Sequence, residues 1–431
     1  MQKCIKFLED PNKVAAIQKF FGVSYNKKVS PKLSSDSERQ NEENTTMLRK
    51  ISTTVNTAEI SNKVDRDELG THETLSSETY NNIESGNTSN RNNETCKNYT
   101  VKNKFWYFLF YFGTYLGDVV GYAVVIPFWF WNIDGVICRK FVLVWTVVMY
   151  IGQVLKEIVC RERPACPPAI RLQKKWSEEY GMPSTHAMVG VAFPSCIIYY
   201  SARRYKFSYY YGIIAAIIWC TLISFSRLYL GMHSILDVFV GFLLSSLLLV
   251  PFLPLMDIIG NAIVQYSWLP VVMIVLSIIL VIIYPKPQGP LITSTRGDTT
   301  TILATCAGIQ IGCWLNYQLH IVQQSTQMPP YDIKLPEWWS VGTGIVRTIL
   351  GLVCIVFSLL LFELMVKATN WILIRSKIST KEDVNNTKGG IVISDVFFKY
   401  LTFFVTSFHV VYSIPALFKY LNISRSSYYF E

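Results

Sequence analysis

Long apolar stretches recur along this chain after residue 104, and each is bounded by charged residues or by proline. The chain has 431 residues, of which 51% are hydrophobic and only 16% are charged, a composition too apolar for a soluble protein of this length. A backbone that crosses a bilayer must satisfy its own hydrogen bonds, and the alternating pattern typical of barrel strands does not occur in this sequence. The sequence therefore predicts an all-α fold, a polytopic bundle of transmembrane helices.

The apolar stretches predict about nine membrane spans. The first is interrupted by Gly117-Asp118, a pattern that indicates an interfacial helix followed by a short span. The number of crossings before residue 156 therefore stays open. The predicted spans lie near residues 105–133, 140–159, 187–202, 208–228, 234–254, 267–284, 302–320, 341–366 and 396–418.

Composition divides the chain into four parts. Residues 1–23 mix large apolar residues with Lys and Asp, which predicts short amphipathic turns, broken at Pro11, that either rest on the membrane surface or cap the bundle. Residues 24–100 are rich in Ser, Asn, Thr, Glu and Lys, which predicts a disordered polar tail. Residues 101–255 form a membrane core that holds three polar clusters, and residues 256–431 add further transmembrane helices.

The formal net charge of +10 does not indicate nucleic-acid binding. The basic residues are scattered at the ends of spans and through the polar tail, where orientation in a membrane accounts for them. We therefore expect membrane lipid, and no nucleic acid, as a partner.

The first polar cluster contains Lys156 and Arg163, which are seven residues apart. A helix that continues to Arg163 places both cations on one face before prolines end it. For Lys156 alone, a side chain that snorkels to the headgroups is the simpler explanation. Cys160 and Cys166 flank the cluster and form a disulfide if this end faces an oxidising lumen, or else remain two unpaired thiols.

The second cluster is Pro183-Ser184-Thr185-His186, directly before an apolar run. Proline and small hydroxyl residues suit a helix start, where unpaired backbone N–H groups and the helix dipole favour an anion. Helix capping accounts for Ser184 and Thr185, but it gives no reason for His186.

The third cluster contains Ser226-Arg227, His233 and Asp237. His233 and Asp237 are four residues apart and share a helix face. A carboxylate that holds one imidazole nitrogen fixes the tautomer and leaves the other nitrogen free to attack. Two histidines and an aspartate could also ligate zinc or iron, but three cations aimed at the same pocket repel a divalent metal, so we expect no metal and no cofactor.

Together the clusters resemble the three-part signature of the type 2 phosphatidic acid phosphatase superfamily. Thr185 stands where most of that superfamily has Gly, and its context, Tyr180-Gly181-Met182-Pro183-Ser184-Thr185-His186-Ala187-Met188, resembles the sphingosine-1-phosphate phosphatases in particular. Two further stretches resemble the same family, namely Arg296-Gly297-Asp298-Thr299-Thr300 and Leu8-Glu9-Asp10-Pro11-Asn12-Lys13-Val14-Ala15.

The resemblance implies a role for each matching residue. His233 would be the nucleophile, Asp237 would orient it, and His186 would act as general acid and base. The phosphate oxygens would be held by Lys156, Arg163, Ser184, Thr185 and Arg227. Residues 101–255 would then be the catalytic core of a metal-independent phosphatase that releases the free base from sphingosine-1-phosphate and related sphingoid base 1-phosphates through a phosphohistidine.

Two other functions stay open. One is a broad-specificity lipid or isoprenoid phosphate phosphatase on the same fold, and the other is a non-catalytic membrane protein that binds lipid phosphates. Retention of both histidines favours an enzyme. A sphingoid base also carries an amine that a carboxylate could bind, and Glu157, Asp237, Asp298 and Glu363 are all conceivable; Arg296 and Asp298 alternatively pair with each other.

The side of the membrane is predicted from one short turn. Residues 201–206 are basic without acid, so the positive-inside rule places them in the cytosol and the site in a lumen. The resembling family implies the endoplasmic reticulum membrane. For the tail, the glycosylation sequons at Asn93 and Asn98 favour the lumen and its lysines favour the cytosol.

Overall fold

The computed structural model describes residues 2–25, 99–173, 179–285, 295–322, 328–333, 337–376 and 384–425. Within these ranges the chain is helical apart from loops and four very short strands, which confirms the all-α prediction. The predicted disordered tail, residues 24–100, lies almost wholly outside the described residues.

From the first described residue to the helix that carries Asp237, the helices are α1 (Gln2–Glu9), α2 (Pro11–Phe20), α3 (Lys104–Leu116), α4 (Val119–Asn132), α5 (Gly135–Val159), α6 (Thr185–Arg204), α7 (Tyr209–Tyr229) and α8 (Ile235–Gln265). The later helices are α9 (Leu269–Ile282), α10 (Thr295–Gln318), α11 (Trp338–Ser376), α12 (Val384–Val411) and α13 (Ser413–Tyr420). Strand β1 (Val23–Tyr25) pairs antiparallel with β2 (Tyr99–Val101), and β3 (Tyr205–Lys206) pairs parallel with β4 (Tyr331–Asp332).

Every predicted span overlaps a helix, but fewer of these helices are both long and apolar enough to cross a bilayer alone. Among the described residues five meet that standard: α5, α7, α8, residues Trp338–Thr369 of α11, and the combined stretch Val396–Tyr420. The pair α3 and α4 makes a sixth if counted as one span, and it bends by 67° at Gly117-Asp118. The chain is thus a multi-pass membrane protein, and the count of nine stays a prediction.

Helix α6 is the centre of the bundle and packs against α5, α7 and α8. Its buried face is made largely of small and medium residues such as Ala187, Gly190 and Ala192, which allow the neighbouring helices to approach closely. A second close pair is formed by α10 and α12, where Gly308 leaves no room for a side chain against Phe404 and Ser407. Helix α10 also packs against α5 and α8, which joins this pair to the core.

Helices α1 and α2 cap one end of the bundle, which agrees with the second of the two interpretations of residues 1–23. The break falls at Pro11 as predicted, and Asp10 caps α2 by accepting a hydrogen bond from Asn12 N at 2.9 Å. Gln18 is fully buried between two loops of the bundle. Its amide donates to Ile170 O at 2.7 Å and to Tyr229 O at 2.8 Å, and its oxygen accepts from Ile170 N at 2.9 Å.

The first cluster does not lie on one helix face, so that prediction was wrong. Helix α5 ends at Val159, and Cys160 adopts the left-handed conformation with φ of 49°, which turns the chain away from the helix axis three residues before Arg163. Arg163 therefore lies in the following loop. Both alternatives for Cys160 and Cys166, a disulfide between them or two unpaired thiols, are also wrong, because Cys160 is a free thiol whereas Cys166 is disulfide-bonded.

Candidate active site

The three clusters meet at the end of the bundle where α5 and α7 end and where α6 and α8 begin. Backbone contacts join the loops that carry them. Ser184 N donates to Asp237 O at 3.1 Å, and Arg163 Nη1 donates to Met232 O at 2.8 Å. Residues far apart in sequence are thereby fixed next to one another.

Lys156 and Arg163 converge on a carboxylate that the sequence did not single out. Lys156 Nζ lies 3.4 Å from Glu179 Oε2, and Arg163 Nη2 lies 3.8 Å from the same oxygen. Arg163 Nε also donates to Glu179 O at 2.8 Å. No motif or periodicity marks Glu179, because its partners lie in another part of the chain and become neighbours only on folding.

Arg163 keeps its charge in spite of its burial. Loss of solvent lowers the pKa of its guanidinium to about 10, and the nearby Glu179 carboxylate opposes that fall. A group with this pKa is still protonated at neutral pH. The site therefore holds a fixed cation beside the imidazole of His233, whose Nε2 lies 3.3 Å from Arg163 Nη1.

His233 is only 1% exposed and directly precedes α8. Its Nδ1 lies 3.8 Å from Asp237 Oδ2, which is longer than a hydrogen bond. That oxygen accepts instead from Ser234 N at 2.7 Å, while Asp237 N donates to Ser234 Oγ at 3.1 Å. This is a capping box, and the Ser-x-x-Asp spacing at the start of α8 was the sequence signal for it.

Burial keeps the His233 imidazole neutral. Loss of solvent is the main cause that lowers its pKa well below the ordinary value, and the cations Arg163, Arg227 and Lys156 lower it further. A neutral imidazole retains the lone pair that a nucleophile needs.

His186 lies in the first turn of α6, as the sequence predicted. Ser184 is the N-cap of that helix, and its hydroxyl accepts from Ala187 N at 3.5 Å. Within the described part of the chain, His186 Nε2 is buried and has no hydrogen-bond partner. The break between α3 and α4 packs directly on this ring, because a side chain at Gly117 would begin 2.9 Å from His186 Cδ2.

Arg227 is 1% exposed and is held by polar groups from two directions. Its Nη1 donates to Thr114 Oγ1 at 3.2 Å and to Gln173 Oε1 at 3.4 Å. Thr114 also shares a hydrogen bond of 3.0 Å with Ser226. The sequence did not predict Thr114, which reaches the site from α3.

A single cavity connects these groups to the apolar interior. Five of the eight predicted site residues line it, whereas Ser184, Arg227 and Asp237 lie around it. Those five are Lys156, Arg163, Thr185, His186 and His233. The cavity then continues between α4, α11 and α12, where its lining includes Ile126, Pro127, Ile355, Leu359, Phe403 and Val410.

The sequence left open whether Asp298 binds a substrate amine or pairs with Arg296. Asp298 lines it from the first turn of α10, and Arg296 Nη2 donates to Val281 O at 3.5 Å. Both belong to a helix and not to a loop.

Within the described ranges, no three His, Cys, Asp or Glu side chains are arranged to hold a metal ion. The absence of a metal requirement stays a prediction.

Comparison with known proteins identifies the family. The PAP2 superfamily model matches residues 138–260, which include all eight predicted site residues. Sphingosine-1-phosphate phosphatase 1 of Rattus norvegicus is 36% identical over 330 residues, which cover 75% of this chain and 74% of that protein. Sphingosine-1-phosphate phosphatase 2 of Homo sapiens is 38% identical over 259 residues, or 60% of this chain and 64% of that protein.

A more distant relative carries a broader name. Lipid phosphate phosphatase delta of Arabidopsis thaliana is 30% identical over 209 residues, which cover 46% of this chain and 50% of that protein. No solved structure gives a significant match. The chain belongs to the sphingosine-1-phosphate phosphatase family of the PAP2 superfamily, and it is a phosphoric monoester hydrolase that acts on lipid phosphates.

Proposed function

We propose that this enzyme dephosphorylates sphingosine-1-phosphate and related sphingoid base 1-phosphates to the free base, without metal, through a phosphohistidine. One observation carries the proposal. Two histidines and two cations line the polar end of a cavity whose other end is apolar. Relatives that are 36% and 38% identical to this chain over the aligned residues are named for that substrate.

The chemical step begins with the neutral imidazole of His233. Its Nε2 attacks phosphorus, and the bond between phosphorus and the lipid oxygen breaks. His186 donates a proton to that oxygen, so the lipid leaves as an alcohol. Lys156, Arg163 and Arg227, together with the backbone N–H groups at the start of α6, stabilise the charge on the phosphoryl oxygens.

The second step regenerates the enzyme. A water molecule attacks the phosphorus of the phosphohistidine while His186, now neutral, accepts its proton. The bond from phosphorus to His233 Nε2 breaks, and inorganic phosphate leaves. Asp237 lies on the Nδ1 side of His233, where its carboxylate stabilises the cationic phosphohistidine even at the observed 3.8 Å.

The shape of the cavity supports a lipid substrate with one chain. A phosphate at the histidines leaves its chain to run between α4, α11 and α12, against Ile355, Leu359 and Phe403. These side chains come from helices outside the matched superfamily region. A sugar phosphate would gain nothing from them, because apolar walls stabilise only apolar groups.

We also propose that the site faces the lumen of the endoplasmic reticulum. The basic turn 201–206 lies at the far end of α6 from His186, and a cytosolic position for it follows the positive-inside rule. Arg204 and Arg203 of this turn pair with Asp134 at 2.5 Å and Asp257 at 3.5 Å, but the rule depends on basic residues and little on acids.

The tail then belongs on the lumenal side as well. Strands β1 and β2 flank residues 26–98, and β1 follows the helix that Gln18 anchors to the loops of the site. Digestion of sealed microsomes with protease should leave the tail intact, and only detergent should make it accessible. Cleavage in sealed vesicles would contradict the lumenal site.

Substrate range is tested with purified full-length protein in the presence of a chelator. Phosphate release is measured separately from sphingosine-1-phosphate and phosphatidic acid. We expect release from the sphingoid substrate and little from the two-chain lipid. Comparable release from both would favour the broad lipid phosphate phosphatase that the Arabidopsis thaliana relative's name suggests. No release from either would contradict metal-independent catalysis.

A further inference from the structure

We propose that Asp118 binds the ammonium group on carbon 2 of a 2-amino-1-phosphate lipid and thereby sets the preference for sphingoid base phosphates. This inference rests on the proposed function. Asp118 lies outside the superfamily match and outside the three polar clusters. It lines the same cavity as Lys156 and the two histidines.

Asp118 occupies the break in a bent membrane helix pair. Helix α3 ends at Leu116, α4 begins at Val119, and their axes differ by 67°. The adjacent Gly117 packs against the ring of His186. The break thus places a carboxylate next to the general acid. A buried ionisable side chain at a break in a membrane helix is costly and points to a function.

The Asp118 carboxylate is buried and makes no ion pair in the described part of the chain, although it interacts electrostatically with Arg227 over a longer distance. It is 8% exposed, and its Oδ1 accepts one hydrogen bond, from Val119 N at 2.7 Å. No lysine, arginine or histidine nitrogen among the described residues lies within 4.0 Å of its oxygens. Helix capping alone does not require this charge, because Asn and Ser cap equally well.

Other carboxylates near the site are already engaged. Glu179 pairs with Lys156 and Arg163, and Asp237 accepts from Ser234 N. Glu157 accepts from the hydroxyl of Thr295. Glu179 would have to give up its cations before it could bind a substrate amine, and neither Asp237 nor Glu157 lines the cavity.

Two more candidates named from the sequence are less suitable. Glu363 is exposed and pairs with Lys367 at 2.7 Å on the surface of α11. Asp298 does line the cavity, but the amino group of Lys399 approaches the same turn at Gly297. A lysine at that turn competes with a substrate ammonium for the carboxylate.

Substrate chemistry places the amine close to Asp118. In a 2-amino-1-phosphate the nitrogen is bonded to the carbon adjacent to the one that carries the phosphate oxygen. His186 must contact that oxygen to protonate it. A carboxylate beside His186 is therefore within reach of the ammonium, and their charge-assisted hydrogen bond forms in a site shielded from water.

The test compares two substrates that differ only at nitrogen, sphingosine-1-phosphate and its N-acetyl derivative. The variant Asp118→Asn keeps the helix cap and removes the charge. We expect wild type to prefer the free amine, and we expect Asp118→Asn to reduce that preference in kcat/KM by about 10- to 100-fold. Turnover of the N-acetyl substrate should be largely retained, which also reports a folded protein.

The comparison separates this inference from the proposed function. The matched variant Asp298→Asn removes another of the carboxylates that line the cavity. A loss of preference there, or an unchanged preference in Asp118→Asn, would overturn the assignment. Equal loss of both substrates in Asp118→Asn and in Asp118→Ser would likewise overturn it. A wild type that hydrolyses neither substrate would instead contradict the proposed function.

Discussion

Gln18 is expected to hold the N-terminal helices against the loops of the active site. Its side chain makes three buried hydrogen bonds, two to Ile170 and one to Tyr229. Ile170 lies in the loop after Arg163, and Tyr229 follows Arg227 by two residues. The amide of Gln18 therefore joins the loop that carries Arg163 to the end of α7, which carries Arg227.

The size of the effect follows from these three bonds. Each buried bond contributes about 1 kcal/mol net, so Gln18→Leu removes roughly 3 kcal/mol of docking free energy. That energy corresponds to about a 100-fold fall in the ratio of docked to undocked helices. Tryptic cleavage of a locally opened segment tracks the open population, so cleavage at Lys13 and Lys19 should accelerate by a similar factor.

The assay combines limited trypsin digestion in detergent with kcat/KM on the lipid substrate. Ala16→Leu is the control, because it adds the same residue at an exposed position of α2 and keeps both cleavage sites. We expect Ala16→Leu to behave as wild type, and Gln18→Leu to lose activity as its loops loosen. Wild-type cleavage and full activity in Gln18→Leu would refute the docking role.

Three further predictions concern the site itself. Arg227→Ala should lose both turnover and phosphate binding, by about 100-fold or more in kcat/KM and in the inhibition constant of phosphate, and retention of either would contradict its role. Glu179→Gln should make inorganic phosphate a stronger product inhibitor by about tenfold, because a carboxylate on Lys156 and Arg163 repels the incoming anion; unchanged inhibition would be the contrary result. Because the pKa of His233 is well below about 6.5, kcat/KM should not fall through loss of the nucleophile until the pH is below that value, and an acid limb centred above 6.5 in the pH profile would contradict it.

The same pKa shift links His233 to stability. The unfolded chain binds a proton at His233 near pH 6.5, whereas the folded chain binds it only at much lower pH. The contribution of His233 to the free energy of unfolding is therefore fully present above pH 6.5 and is lost as the pH falls below that value. Acid should destabilise the fold even though the neutral imidazole remains available for catalysis.

Much of the site could be predicted because its key residues fall in short segments at helix ends. His186 follows a helix-starting Pro-Ser-Thr, and His233 precedes α8, so local sequence placed both correctly. The Ser-x-x-Asp spacing of Ser234 and Asp237 also predicts a capping box, which the structure contains. Spacing alone suggested that Asp237 accepts a hydrogen bond from His233, whereas its carboxylate accepts from the Ser234 N–H at the helix start instead.

Contacts between distant segments could not be predicted. Glu179 meets Lys156 across 23 positions, and Thr114 meets Arg227 across 113. Packing of α3 against α7 brings Thr114 to Arg227, and the segment before α6 carries Glu179 to Lys156 at the end of α5. The left-handed turn at Cys160 was not predicted for a different reason. Prolines later in the sequence suggested that α5 continues beyond Cys160.

The central claim is that His233 carries the phosphoryl group during turnover. Wild type is mixed with radiolabelled sphingosine-1-phosphate in the presence of a chelator and quenched in alkali, in which phosphohistidine is stable. We predict a labelled peptide that contains His233, labile to acid, and no label or turnover in His233→Ala, which should still bind phosphate. Full turnover in His233→Ala, or label on another residue, would contradict the account.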